Sequence, residues 1–234
     1  MERISAYRPK TDVMVNSFVR SVYNWMFVGL VITGLVALLT VKNETVLRMV
    51  ATNPIVFYGL IIAQLGMVIS ISGMINKMSA STATALFVIY SALNGVTLSF
   101  IFLLFELSSI FSAFFICALT FLACSIYGWT TKKDLTSLGS FMMMGLFGII
   151  IASVVNMFMH SDATYYAIGY IGVVVFVGLT AYDTQKIKNM ALSQPAGLDG
   201  DVVRKGAIIG ALNLYLDFIN LFLMLLRIMG AARD

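Results

Sequence analysis

Leu212-Asn213-Leu214-Tyr215-Leu216-Asp217-Phe218-Ile219-Asn220-Leu221-Phe222 is an apolar run with a carboxylate near its centre. It lies within the last apolar stretch, 206 to 228, long enough to cross a bilayer as a helix of about 20 residues. A carboxylate in hydrocarbon costs several kcal/mol, roughly 3 on insertion scales, so Asp217 marks by default a functional site facing protein interior or water. The preceding apolar stretch ends in Gly178-Leu179-Thr180-Ala181-Tyr182-Asp183-Thr184-Gln185-Lys186, which carries a second carboxylate, Asp183. Two acidic groups thus belong to consecutive hydrophobic segments that a short connection makes neighbours.

Around this pair the composition is that of a membrane protein. Of 234 residues 60% are hydrophobic and 11% charged, and mean hydropathy is +0.94, which would leave a soluble domain with too much apolar surface in water. Seven stretches read as spanning helices: 22 to 41, 55 to 75, 83 to 105, 109 to 129, 138 to 159, 164 to 183 and 206 to 228. The chain therefore reads as an all-α integral membrane protein, a seven-helix domain over residues 22–230 preceded by a cytoplasmic segment, residues 1–21. No soluble catalytic domain fits in the connections, so any chemistry occurs in or beside the bilayer. The first apolar run lacks a small-residue cleavage signal and reads as a retained anchor.

Orientation follows from Lys and Arg. Arg3, Arg8, Lys10 and Arg20 precede helix 1; Lys77, the pair Lys132 and Lys133, and Lys186, Lys188, Arg204 and Lys205 occupy loops on the same side. Only Lys42, Arg48, Arg227 and Arg233 fall on the other. The positive-inside rule then places the N-terminus in the cytoplasm and, after seven spans, the C-terminus outside. The basic pI of 9.1 is a topology signal; no basic cluster suits nucleic acid.

At helical spacing the last span aligns Gly206, Gly210, Asn213, Asp217, Asn220, Met224 and Arg227 on one stripe, because steps of three and four residues return to one face. A polar, small-residue stripe on an otherwise apolar cylinder lies against other helices, so helix 7 is expected to be central. Helix 6 carries a matching stripe, Gly169, Gly172, Phe176, Thr180 and Asp183. Asp217 would sit roughly 16 Å into helix 7 by the rise per residue, deeper than Asp183. The carboxyls come level if helix 6 runs on toward Lys188 or helix 7 starts after Gly206. Asn213, Asn220, Thr180 and Asn94 are the candidate pore-lining groups. Cys117 and Cys124, about 10 Å apart along one helix, read as packing residues, and His160 as an exposed loop residue.

Carboxyls within hydrogen-bonding distance in a low-dielectric site cannot both stay ionised, so the pair would share a proton and sense pH. Lys77, at the cytoplasmic end of helix 2, could pair with the ionised dyad as a latch that protonation releases. Two carboxylates also suit a hard cation such as Ca²⁺, with carbonyls and water completing its oxygen shell. No resident cofactor is indicated; the partners are membrane lipid, protons and Ca²⁺.

Tyr215-Leu216-Asp217-Phe218-Ile219-Asn220-Leu221-Phe222 with Leu225-Leu226-Arg227, Tyr182-Asp183-Thr184-Gln185-Lys186-Ile187-Lys188 and Lys132-Lys133-Asp134-Leu135 together resemble the Bax inhibitor-1 family, across essentially all seven spans. The resemblance is to its bacterial inner-membrane branch. It implies six helices around a central seventh, a pH-sensitive dyad at Asp183 and Asp217, and a calcium leak across the membrane. The family's latching arginine falls at Lys77, which offers a point charge in place of a bidentate fork.

Other classes fit less well. An intramembrane aspartyl protease would match Tyr182-Asp183, but needs Gly-x-Gly-Asp where this chain has Leu214-Tyr215-Leu216-Asp217, so no enzyme is expected. A retinal protein would need a lysine within helix 7. A proton-coupled small-solute transporter could use the same dyad, although no Pro-interrupted helix pair marks a carrier site. A non-transporting regulator acting through protein partners is the third alternative.

Overall fold

The computed structural model describes residues 7–195 and 198–230. Arg3 and Arg233, counted in the charge asymmetry, lie outside the described residues. Among those described the regular structure is helical: α1 Tyr7–Lys42, α2 Glu44–Thr52, α3 Pro54–Met74, α4 Ala80–Leu98, α5 Ile101–Leu104, α6 Leu107–Thr130, α7 Thr136–Met159, α8 Asp162–Leu192 and α9 Gly200–Met229, with a 3₁₀ turn Ile75–Lys77 after α3. Seven segments are long and apolar enough to cross a membrane, as the sequence predicts. α4 and α5 together form the third, interrupted at Ser99 and Phe100.

Four features differ from the sequence reading. The first span does not begin at residue 22, because α1 starts at Tyr7 and its membrane-length stretch at Met14, inside the segment expected to precede the bundle. The sixth span does not stop at Asp183, because α8 continues to Leu192. Its last turns alternate polar residues with buried Ile187 and Ala191, a four-residue spacing that keeps one apolar face covered while mean hydropathy falls. The seventh helix starts at Gly200, ahead of residue 206. The link between the first two spans holds a helix of its own, α2. Asn43 caps it by accepting from the Val46 amide at 3.2 Å, and Asn53 caps the following α3 with Pro54 in its first turn. These are standard helix-start devices.

The chain divides into two compact units. The first holds the chain up to Leu103 with Asn189–Tyr215, the second Leu104–Lys188 with Leu216 onward. In the first, α4 packs on α1 where Gly95 faces the Thr33 carbonyl; a Cβ there would stand 2.6 Å from that oxygen. Its core holds Tyr215, fully buried and edge-on to Phe87 and Tyr90. The Tyr215 hydroxyl bonds Thr33 Oγ1 at 2.7 Å and accepts from Asn94 Nδ2 at 2.9 Å. Thr33 in turn reaches the Gly29 and Ser91 carbonyls. In the second unit, α6, α7, α8 as far as Lys188 and the C-terminal part of α9 from Leu216 form the other core. α9 is the most covered span, 67% of its apolar window being buried against at most 39% elsewhere. The other spans present Phe, Leu and Ile outward, as at Phe27, Ile55 and Phe158, which suits hydrocarbon.

Candidate functional site

The second unit gathers both carboxylates. α8 is held at the level of Asp183 by close approaches on two sides. A Cβ on Gly128 of α6 would collide with the Ala181 carbonyl oxygen and crowd Thr184, and one on Gly139 of α7 would enter the Tyr182 ring. Only glycine permits these contacts, which fix the residues flanking Asp183. The turn between α6 and α7 is tied to the same helix. Gln185 accepts from the Leu135 amide at 2.8 Å and donates to the Lys133 carbonyl at 2.8 Å. Lys188 donates to the Trp129 carbonyl at 2.6 Å, near the end of α6, and its ammonium stands 5.5 Å from the Trp129 ring centroid. A cation there satisfies a terminal carbonyl and complements the helix dipole.

α9 meets α8 through the small residues of the expected stripe. Met224 lies against Gly172 and Ile228 against Gly169, each 2.6 Å from where a Cβ would be. From α6, Cys117 donates to the Phe218 carbonyl at 3.5 Å, and Phe121 stacks edge-on against Phe218 at 5.4 Å. Cys117 and Cys124 are both free thiols.

Within this frame Asp217 is 5% exposed, and its Oδ2 has no hydrogen-bond partner among the described residues. The Asp183 carboxyl is its electrostatic neighbour. Asp183 is half-buried and feels Lys186, one turn along α8, whose ammonium lies 6.0 Å from the Tyr182 ring centroid. Two like charges at such a site repel, and α6 and α7 carry no charged residue that could neutralise the buried one, so sharing a proton or admitting a cation are its routes to relief. Two carboxylates alone make a weak cation site; among the described residues no cluster of three or more His, Cys, Asp or Glu is present. Any cation held here would need neutral oxygens.

Toward the C-terminal end of α9 the same stripe opens into a cavity of about 530 Å³. Asn220, Met224 and Arg227 line it from α9, with Tyr165 and Phe176 of α8 and Asn156 of α7 among its other walls. Asn220 donates to the Leu216 carbonyl at 2.8 Å and follows Asp217 by three residues, one helical turn. The Arg227 guanidinium stacks 4.4 Å over the Tyr165 ring. The sole ion pair among the described residues is elsewhere, between Arg48 and Glu44 at 3.8 Å.

The candidate residues therefore fall into two groups. Asp183, Asp217, Thr180 and Asn220 belong to the second unit, where Thr180 is fully buried and bonded to its own Phe176 carbonyl. Lys77, Asn94 and Asn213 belong to the first. Lys77 is exposed at the end of the 3₁₀ turn, beside Met78, whose carbonyl accepts from Lys205 at 3.2 Å. Asn94 is bonded to Tyr215, and Asn213 is half-buried. His160 is exposed and caps α7 in the left-handed conformation, φ 51°. Sequence reasoning passed over Gln185 and Ser125. Ser125 was detectable as part of a Cys117, Phe121, Ser125, Gly128 face at steps of three and four; Gln185, a polar residue just past an apolar run, gives no such signal.

Seven apolar helices, with a carboxylate on each of the last two, define a multi-pass membrane protein. The chain belongs to the Bax inhibitor-1 family: the family model described as inhibitor of apoptosis-promoting Bax1 matches residues 15–234. It is 50% identical over 231 residues to the inner membrane protein YbhL of Escherichia coli K12, covering 96% of this chain and 98% of that one. It is also 46% identical over 232 residues to an uncharacterized protein of Borreliella burgdorferi, 99% of each chain. An uncharacterized protein of Deinococcus radiodurans is 42% identical over 234 residues, 100% of this chain and 98% of the relative.

Proposed function

We propose that this protein is a pH-sensitive cation leak pathway of the inner membrane, with calcium as the permeating ion and the Asp183–Asp217 pair as its gate. The observation that carries the reading is the unpartnered, buried Oδ2 of Asp217 beside a second carboxyl. A group so costly to bury is retained where it binds protons or cations. The outer cavity, ending one turn from Asp217 on the same stripe, supports a path from one side of the membrane toward the pair. With the N-terminus cytoplasmic, the carboxyls face the cytoplasmic half, and acidification, by adding a proton to the pair, weakens its hold on a cation or on a latching lysine and raises flux.

Reconstitution in liposomes loaded with a calcium dye tests this across roughly pH 6 to 8. Wild type should leak calcium with a pH dependence that Asp217→Asn and Asp183→Asn flatten. Flux equal to that of empty liposomes at every pH would remove the channel reading. A latch role for Lys77 predicts more flux in Lys77→Ala at neutral pH.

The cavity also favours a second reading, a proton-coupled carrier of a small solute. At about 530 Å³, with Arg227, Asn156 and Asn220 among its walls, it matches the size of small-molecule sites. Proton flux that requires a second solute would select that reading.

A further inference from the structure

Among the described residues, two buried side-chain polar atoms have no hydrogen-bond partner: Asp217 Oδ2 and Ser125 Oγ. Both belong to the second unit, and Ser125 is 6% exposed. Hydroxyls in membrane helices commonly return their proton to the carbonyl four residues back. Thr84, Ser91, Thr130 and Thr180 do so here, at 2.7–2.8 Å. Ser125 does not, and its hydroxyl is left open.

The register of α6 places Ser125. Cys117 and Phe121 touch Phe218, the residue after Asp217. Gly128 touches Ala181 and Thr184, which bracket Asp183. Ser125 lies between these contacts, four residues beyond Phe121 and three before Gly128, on the same helix face. That is the face on which α6 meets α8 beside Asp183 and α9 beside Asp217. Buried polar groups left open in pairs are characteristically bridged by water.

We propose that Ser125 is the third oxygen-bearing side chain of the Asp183–Asp217 site, its hydroxyl and Asp217 Oδ2 binding one and the same water. That water is either resident or carried in the hydration shell of a divalent cation. The inference rests on the reading of Asp217 as the proton- and cation-binding group. When Asp217 is ionised, the water donates to Oδ2 and accepts from Ser125; when Asp217 is protonated, the water accepts from it and donates to Ser125. The charged groups facing Asp217 within this unit are Asp183 and, beyond it, Lys186 on α8. α6 and α7 carry no charged residue at all, so a neutral ligand is what α6 can supply.

Infrared difference spectra of the reconstituted full chain on acidification, with and without calcium, test the proposal through the protonated-carboxyl C=O band. Asp217→Asn should remove the band. Ser125→Ala should shift it and slow calcium flux about fivefold, the factor expected for one lost hydrogen-bonding oxygen, while Ser125→Thr leaves both near wild type. A shift without calcium identifies a resident water; a shift seen only with calcium identifies water brought by the cation. If Ser125→Ala does not assemble, Ser125→Cys, nearly isosteric but a poor hydrogen-bond partner, is read in the same way. A band and flux identical to wild type in the hydroxyl-deleted variant would overturn the role of Ser125. A band and flux surviving in Asp217→Asn would instead overturn the reading of Asp217 itself.

Discussion

Tyr215 and Asp217 are two residues apart on one helix, both polar and both buried, yet their surroundings are opposite. The Tyr215 hydroxyl has two side-chain partners, Thr33 and Asn94, and its ring is flanked by Phe87 and Tyr90. Asp217 has an oxygen with none among the described residues and a like-charged neighbour. A satisfied buried network rigidifies a core, whereas an unsatisfied one costs stability and is retained for what it binds. On the function proposed above, the first unit's cluster holds the core together, and the second unit's pair is the proposed working site.

The sharpest way to break that contrast is at Asp217. Asp217→Asn should abolish the pH response of flux. Asp217→Leu, which removes the unsatisfied group altogether, should also raise thermal stability in detergent, by about 1–3 kcal/mol. Loss of stability comparable to that of an ordinary core polar deletion would mean that Asp217 has partners of the Tyr215 kind. Gly128→Ala comes next. Its Cβ would meet the Ala181 carbonyl, so α8 must move; overpacking of this type costs about 1–3 kcal/mol. Because Asp183 rides on the displaced segment, the melting temperature and the pH midpoint of flux should change together. A lower melting temperature with an unaltered pH profile would separate helix packing from the gate.

How much of this could be read in the sequence follows from the same contrast. Asp183 and Asp217 stand out because a charge inside an apolar run is exceptional whatever the tertiary structure. The seven spans are equally legible, since hydropathy is a local property. Asn94, Thr33 and Ser125 are not distinguishable in this way: each is a small polar residue in a greasy helix, and whether it finds a partner depends on which helix face meets which. Asn94 looked like a pore-lining group and is placed in the Tyr215 network. Ser125 reads as ordinary in the sequence, yet its hydroxyl has no partner among the described residues. The run of the sixth helix past Asp183 toward Lys188 was one of two alternatives the sequence leaves open; α8 takes it and goes on to Leu192, through amphipathic last turns that lower hydropathy while Ile187 and Ala191 stay buried.

A smaller effect belongs to the structural cluster. Tyr215→Phe keeps the aromatic contacts but strands Asn94 Nδ2, and should lower stability by about 1–2 kcal/mol in a thermal melt. Flux and its pH midpoint should stay at wild-type values, since Tyr215 belongs to the other unit's core. A shifted midpoint would show that the two polar clusters are coupled along α9.

The smallest effect is expected at Asp134, which serves as a control for the pH response. This exposed carboxylate accepts from the Thr136 amide at 2.9 Å and from its hydroxyl at 2.6 Å, and those bonds hold its carboxyl below the usual carboxylate range. A group depressed in the folded state contributes stability above its unfolded pKa, near 4 for Asp, and loses it only as pH falls through the lower folded value. Both lie below the window of roughly pH 6 to 8, so the contribution is constant there. Asp134→Ala should lower the melting temperature slightly and equally at both ends of that window, with the flux profile unmoved. The turn carrying Asp134 is tied by Gln185 to α8 two residues from Asp183. A changed pH profile in Asp134→Ala would therefore place part of the proton sensing at the exposed α6–α7 turn and outside the buried pair.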